Sequence, residues 1–365
     1  MTTRRHLLKN ASRTFAISAL AISGFSTTTQ AQEPVPVVAT FSILGDMVQR
    51  IGGDAVTLST LVGRNGDTHV YQPTPADAKA VKRAQLLFTN GLEFEGWLER
   101  LAEAAAFEGT TVVTTEGLEL ITLEEHHDDE HDEHAEGEDK HEADMHADEG
   151  PEAEHSESEI TDSEHTDSEH KDEDKQDDED GHHDHGEFDP HGWLSLQNAV
   201  VYVDNIAEAL AKAAPANAAI YYQNRAAYIA EIELLDQQIK DMIAALSESD
   251  RTIVTSHDAF QYFGRDYGLQ FLAPQGLSTE SEASARDVAQ LIEQIRAEGI
   301  SAVFVENVAD SRLLQQIARE TGSTIGGKLY PGALSNEDEP ASTYLDLMRH
   351  NATTITTALT AAKKL

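Results

Sequence analysis

Residues 35–62 read VPVVATFSILGDMVQRIGGDAVTLSTLV, and their order decides the fold. Val35 to Phe41 is a short apolar run with the length of a buried strand. Ser42 stands where a helix N-cap belongs, and a helix to Ile51 follows until Gly52-Gly53 stops it. Ala55 to Val62 then alternates as a second strand. Downstream, a turn-rich connection from Gly63 to Pro73 holds His69. Thr74 caps the next helix, with Pro75 in its first turn and Asp77 near its positive end. Gln85 to Thr89 reads as strand, Phe94 to Ala105 as helix and Thr110 to Thr114 as strand. Alternation of this kind predicts parallel β/α layering.

The second half repeats the alternation. Leu196 to Ala214 is helical, and Pro215 opens a longer segment to Leu246. Its stripe Tyr221, Tyr228, Ile232, Leu235, Ile239, Met242, Leu246 keeps helical steps across residues 215–246, about 48 Å at 1.5 Å per residue. A coiled-coil partner helix would show the same stripe. Because β/α sequence resumes beyond it, the segment is read as a strut along two lobes. Thr252 to Thr255 is strand, followed by Ser256-His257-Asp258 and a helix to Tyr267. Leu269 to Leu272 is strand, Ser284 to Glu298 helix and Ala302 to Val305 strand. Asp310 to Thr321 and Ala341 to Ala362 are helices. The organisation expected is α/β: an N-terminal lobe over 32–214, a linking helix over 215–246 and a C-terminal lobe over 247–365.

Residues 124–189 stand apart. They hold 12 His, 32 Asp+Glu and 3 Lys, with Phe188 the only aromatic. So little apolar surface cannot offset the entropy of ordering a backbone, which predicts a disordered insertion in the first lobe. A solvated spacer explains the acid but not the histidine. Imidazoles beside carboxylates, as in His126-His127 or His182-His183-x-His185, suit zinc-like divalent ions. The tract carries −29 of the net charge of −40, so the rest of the chain is mildly acidic. That balance argues against nucleic acid as a partner.

Residues 1–31 read as an export signal. Arg4, Arg5, Lys9 and Arg13 precede an apolar run from Phe15 to Phe25, and Thr29-Gln30-Ala31 fits a cleavage site. The run is short for a membrane span. Thr3-Arg4-Arg5-His6-Leu7-Leu8-Lys9 also resembles a twin-arginine signal, so the route is Sec or twin-arginine and the destination in a bacterium is the periplasm. The chain has no cysteine. Disulfides, thiolate metal sites and a lipid anchor on a leader cysteine are therefore excluded.

Outside the leader and the tract only His69, His191, His257 and His350 remain. His350 lies beside Arg349 on a C-terminal helix and reads as a surface residue. The other three lie at strand ends or loop–helix junctions, where open α/β sheets collect ligands. Their surroundings are Gly66-Asp67-Thr68-His69-Val70-Tyr71-Gln72-Pro73-Thr74-Pro75, Asp189-Pro190-His191-Gly192-Trp193-Leu194 and Ser256-His257-Asp258-Ala259-Phe260-Gln261-Tyr262-Phe263. These motifs, with Val305-Glu306-Asn307 and Thr343-Tyr344-Leu345, closely resemble the zinc and manganese solute-binding proteins of bacterial ABC transporters. The resemblance covers essentially the whole mature chain. It implies two (β/α) lobes joined by a rigid long helix, a metal in the cleft between them, and His69, His191 and His257 as its ligands. It also implies a monomer that serves an inner-membrane ABC permease and binds a divalent metal ion.

One departure stands out. The family's fourth ligand is commonly an Asp in a stretch resembling Leu-Tyr-Ser-Asp-Ala-Leu-Ser, which here reads Leu329-Tyr330-Pro331-Gly332-Ala333-Leu334-Ser335. Gly332 stands in the Asp position. Water, a tract histidine, Glu337 or Asp338 are then candidates for the fourth position, while Glu306 suits a hinge or supporting role better than ligation. Three neutral imidazoles suit Zn²⁺, whereas Mn²⁺ prefers more oxygen. In the family, manganese binders tend to have a carboxylate where this chain has His257. The expected cargo is Zn²⁺, with a manganese-binding homologue and a stand-alone periplasmic zinc buffer as alternatives. Three histidines with an open position also describe a zinc hydrolase. No H-E-x-x-H, G-x-S-x-G or phosphate loop supports one, so the chain is read as a binding protein and not an enzyme.

Overall fold

Six of the seven side chains of β1 (Val35–Phe41) are buried, the pattern of a parallel strand covered on both faces. It pairs in parallel with β2 (Val56–Val62) and β3 (Leu86–Thr89), and β4 (Thr110–Val113) completes a sheet of order β2-β1-β3-β4. A second all-parallel sheet repeats that order. There β5 (Thr252–Val254) lies between β6 (Gln270–Leu272) and β7 (Ala302–Glu306), with β8 (Thr324–Leu329) outside. Each sheet changes winding direction beside its first strand, between β1 and β3 and between β5 and β7. The carboxyl ends of those strands are where such sheets hold ligands. The computed structural model describes residues 33–122 and 186–362. The expected export signal, Leu123 and residues 124–185 of the tract lie outside the described residues.

The helices follow the sequence signals with instructive exceptions. Helix α1 (Ser42–Gly52) contains Ser42 as its first residue, with Phe41 at the cap position. Ser42 is therefore not the N-cap; its hydroxyl accepts the Leu334 N–H at 3.0 Å from the other lobe. Helix α2 (Pro75–Arg83) does open on a capping box, Thr74 and Asp77 each taking the other's backbone N–H. Helix α3 (Leu98–Ala105) starts four residues later than periodicity suggests, because Leu92 and Glu93 adopt left-handed backbone at φ 55° and 60°. The chain turns there and delivers Phe94 to the site instead of to a helix. Helix α4 (Leu196–Ala213) is capped by Ser195.

Over 215–246 the chain forms a 3-10 turn at Pro215–Asn217 and then α5 (Ala218–Ala244), about 40 Å long. The buried stripe of α5 takes Ile243 where Met242 was expected, and Leu246, just beyond the helix, is buried as expected. The helix packs on α1 and α4 of the first lobe and on α9 (Tyr344–Ala362) of the second. Helices α6 (Gln261–Tyr267), α7 (Ala285–Glu298) and α8 (Arg312–Thr321) connect the second sheet. Strand β8 was not expected from the sequence, since Gly326 and Gly327 dilute its β-character. Gly326 is needed there: a Cβ would come within 2.6 Å of the Phe304 ring and 2.8 Å of Ala358.

A single apolar core runs through both sheets, joining Val37, Leu87 and Tyr202 of the first lobe to Ile253, Phe304 and Tyr344 of the second. A smaller cluster, including Val254, Ile295, Val303 and Ile317, fills the space under α7 and α8. Shared burial on this scale couples the lobes more tightly than a polar domain interface would. The two ends of the insertion meet on the first lobe. Thr122 pairs antiparallel with Phe188, and the Asp189 N–H donates to Ile121 O at 3.0 Å.

Candidate metal site

His69 lies in the loop after β2, His191 just before the short 3-10 turn Gly192–Leu194, and His257 three residues beyond β5. The fold brings them together. Ring centroids are 5.5 Å apart for His69–His191, 5.9 Å for His69–His257 and 5.5 Å for His191–His257. One nitrogen from each lies within 4.8 Å of the other two. A zinc ion about 2.0–2.1 Å from three nitrogens would set them about 3.4 Å apart, so only a small inward movement is needed. His350 is not part of the cluster; its Nε2 lies 2.9 Å from Lys328 O and its ring packs on Tyr330.

Two of the three rings are oriented by buried carboxylates. His191 Nδ1 lies 2.8 Å from Asp189 Oδ1, which also accepts the His191 backbone N–H at 2.9 Å. His191 Nε2 is left buried and without a partner among the described residues, facing the other two rings' cluster. His257 Nδ1 lies 2.5 Å from Glu306 Oε2, while Glu306 Oε1 accepts the Ser256 and His257 N–H groups at 2.8 and 3.2 Å. A carboxylate on Nδ1 fixes the tautomer that presents Nε2. His69 is held through its main chain: its N–H donates to Asp67 Oδ1 at 3.0 Å, and Trp97 Nε1 donates to Thr68 O at 2.9 Å. Tyr71 packs on Trp97 and donates to Asp77. Burial and that carboxylate push the Tyr71 hydroxyl up to about 12.

The walls are aromatic. Phe94 packs edge-on against His69 at 4.9 Å and His191 at 5.9 Å, and Trp193 lies 5.3 Å from His191. Trp193 Nε1 donates to Pro331 O at 2.7 Å, tying the His191 motif to the second lobe. Beneath Phe94, the buried Glu95 carboxylate accepts from Thr40 Oγ1 at 2.6 Å and from the Asn90 and Gly91 N–H groups. Asn90 in turn donates to Pro190 O and accepts from Tyr202. A cavity of about 410 Å³ reaches His69 from outside, lined also by Phe94, Phe188, Leu277 and Glu280.

Electrostatics differ between the two pairs. Burial holds His191 well below the ordinary imidazole value, with the charge of His257 adding to the effect. Burial also raises Asp189 to about 7, partly offset by the His191 N–H. That pair favours a neutral imidazole. Burial pulls His257 down as well, but the charge and hydrogen bond of Glu306 outweigh it, and His257 is raised. It must release a proton to bind a metal.

The fourth position has no protein donor in the cluster among the described residues. Glu337 and Asp338 are exposed, and both oxygens of Glu306 are committed to His257 and its neighbours. A Cβ at Gly332 would meet nothing within 4 Å. The sequence reading missed Asp67, Asp189, Phe94 and Glu95. For the two aspartates a signal existed, since Asp67-Thr68-His69 and Asp189-Pro190-His191 share an Asp two residues before the His. Phe94 and Glu95 were hidden inside a stretch with helical spacing.

Two parallel α/β lobes around a buried cluster of imidazoles are the architecture of metal-binding solute-binding proteins. The family model described as zinc-uptake complex component A, periplasmic (ZnuA), matches residues 37–358, and the chain belongs to that family. It is a metal-binding component of an ABC transporter, not an enzyme. Curated relatives include the manganese-binding lipoprotein MntA of Halalkalibacterium halodurans, 27% identical with 91% of each chain covered. The iron ABC transporter substrate-binding lipoprotein MtsA of Streptococcus pyogenes is also 27% identical, over 93% of this chain and 94% of its own. Among solved structures, the periplasmic zinc-binding protein TroA of Treponema pallidum superposes with a TM-score of 0.70 at 25% identity, covering 90% of this chain and 99% of its own. A manganese-bound periplasmic metal-binding protein of Candidatus Liberibacter asiaticus gives 0.67 at 29% identity, covering 90% and 100%.

Proposed function

We propose that the protein captures Zn²⁺ in the periplasm as a monomer and passes it to an inner-membrane ABC permease, with His69, His191 and His257 as the protein ligands. The observation that carries this reading is the donor set: three imidazole nitrogens within 4.8 Å and no carboxylate among them in the described residues. Such a set suits tetrahedral zinc, while manganese favours carboxylate and carbonyl oxygen. The relatives are named for manganese, iron and zinc, so the choice of cargo comes from these side chains. With Gly332 in the family's Asp position and no fourth protein donor in the cluster among the described residues, the fourth position is left to solvent. The His-rich tract concentrates metal beside the first lobe, where its two ends meet.

Competition titration against a chromophoric chelator tests the reading. Zn²⁺ is expected to bind at one tight site and to displace Mn²⁺, and His191→Ala is expected to abolish that site. Tighter binding of Mn²⁺ than of Zn²⁺ would favour the manganese alternative. Unchanged zinc affinity in His191→Ala would refute the ligand set.

A further inference from the structure

The segment between β6 and α7 touches both lobes' contributions to the cluster. Gln275 bridges to His257, and the Asp258 N–H donates to Gly276 O at 3.1 Å. Gln275 Nε2 donates to Ser281 O at 3.1 Å, closing 275–281 into a compact loop. At its far side, Thr279 Oγ1 donates to Asp67 Oδ2 at 2.5 Å, while the other oxygen of the same carboxylate receives the His69 N–H. Leu277, Ser278 and Glu280 line the cavity that leads to His69. One carboxylate therefore joins a backbone amide of the first lobe to a hydroxyl of the second.

We infer that Asp67 and Thr279 are positioning residues that hold His69 on the metal and thereby set the rate of its release. The inference rests on the three-histidine reading above. An Asp accepting the N–H two residues on fixes a local turn but leaves that turn free to move as a unit. The charge-assisted bond from Thr279 anchors the turn to the 275–281 loop, whose other side is bonded at His257. The base of the His69 loop is held separately, by Asn65 N–H on Leu334 O and Arg64 on the carbonyls of Ser335 and Ser342. Loss of the Thr279 hydroxyl thus leaves the end of the loop that carries His69 held from the first lobe alone, through the Trp97 Nε1 bond to Thr68 O, without detaching the loop. His69 lines the outward cavity while His191 and His257 are each about 1% exposed, so in this proposal its withdrawal is the movement that opens the site, and dissociation is the step affected.

The test is stopped-flow release of zinc into excess chelator from full-length protein loaded with half an equivalent of Zn²⁺, so that the tightest site fills first. Thr279→Val keeps the side-chain shape and removes the donor. It is expected to speed release about tenfold, in line with the effect of partners that orient a metal ligand. Association should change less than twofold, and Thr279→Ser should restore slow release. Release unchanged in Thr279→Val, or association changed as much as release, would overturn the inference. His191→Ala run alongside separates the two failures. If it loses tight zinc while Thr279→Val behaves as wild type, only the positioning role falls. If it keeps tight zinc, the ligand set falls and the positioning role with it.

Discussion

Glu306 and His257, 49 residues apart in sequence, are joined twice: Glu306 Oε2 lies 2.5 Å from the His257 ring, and Glu306 Oε1 accepts the His257 backbone N–H at 3.2 Å. Strand β7 ends in the carboxylate and its neighbour β5 leads into the imidazole, so the winding change of the second sheet builds the pair. Glu306→Gln should show what the pair does. The amide can still accept the backbone N–H groups, but its NH₂ would donate to Nδ1 and force the proton onto Nε2. Zinc affinity is expected to fall about 10–100-fold with the fold intact. Competition titration and circular dichroism of the same sample check both halves.

The raised His257 gives metal binding a pH dependence of definite sign. Zinc takes the neutral ring, so affinity should fall as pH drops through this raised value, beginning above the ordinary imidazole value of about 6.5. The metal-free fold responds in the opposite sense. Its His257–Glu306 ion pair contributes fully below about 6.5, and the contribution is lost as pH rises through the raised value. Titrations and metal-free thermal melts between pH 5.5 and 8.5 measure both. A zinc affinity flat across that range would contradict the assignment.

Glu93 is exposed and left-handed at φ 60°, next to Leu92 at φ 55°. Such backbone disfavours a residue with a Cβ, and glycine relieves it. Glu93→Gly is expected to raise stability by about 1 kcal/mol while leaving Phe94 against His69. Differential scanning calorimetry of the metal-free protein reads the change, and a lower melting temperature would show that the Glu93 side chain outweighs the strain.

Thr122 and Phe188 are paired across the insertion. Deleting Glu125 to His185 leaves Leu123, Glu124, Gly186 and Glu187 between them. Four residues are a common hairpin-loop length, so the joint should close without disturbing the lobe. The shortened protein is expected to keep its melting temperature and one tight zinc while losing the weaker sites. Loss of the tight site would make the tract part of it.

Much of this was legible in the sequence because its causes are local. Alternating strand and helix, the Thr74 cap, and the stripe of α5 from Tyr221 to Ile239 depend on residues a few positions apart, and the structure shows each of them. The three histidines were legible from their motifs, and the composition of 124–189 marked it as unlike the rest of the chain. Local signals failed where a distant contact took over. Ser42 has cap chemistry but is bonded to Leu334, 292 residues away, and Phe94 left a helical pattern to wall the site. Periodicity reports which face of an element is apolar, not which element it will meet. That His191 and His257 would each acquire a buried carboxylate, yet be shifted in opposite directions from the ordinary imidazole value, depended on desolvation and on charges distant in sequence. Those energies exist only once the two lobes have excluded water from the cleft.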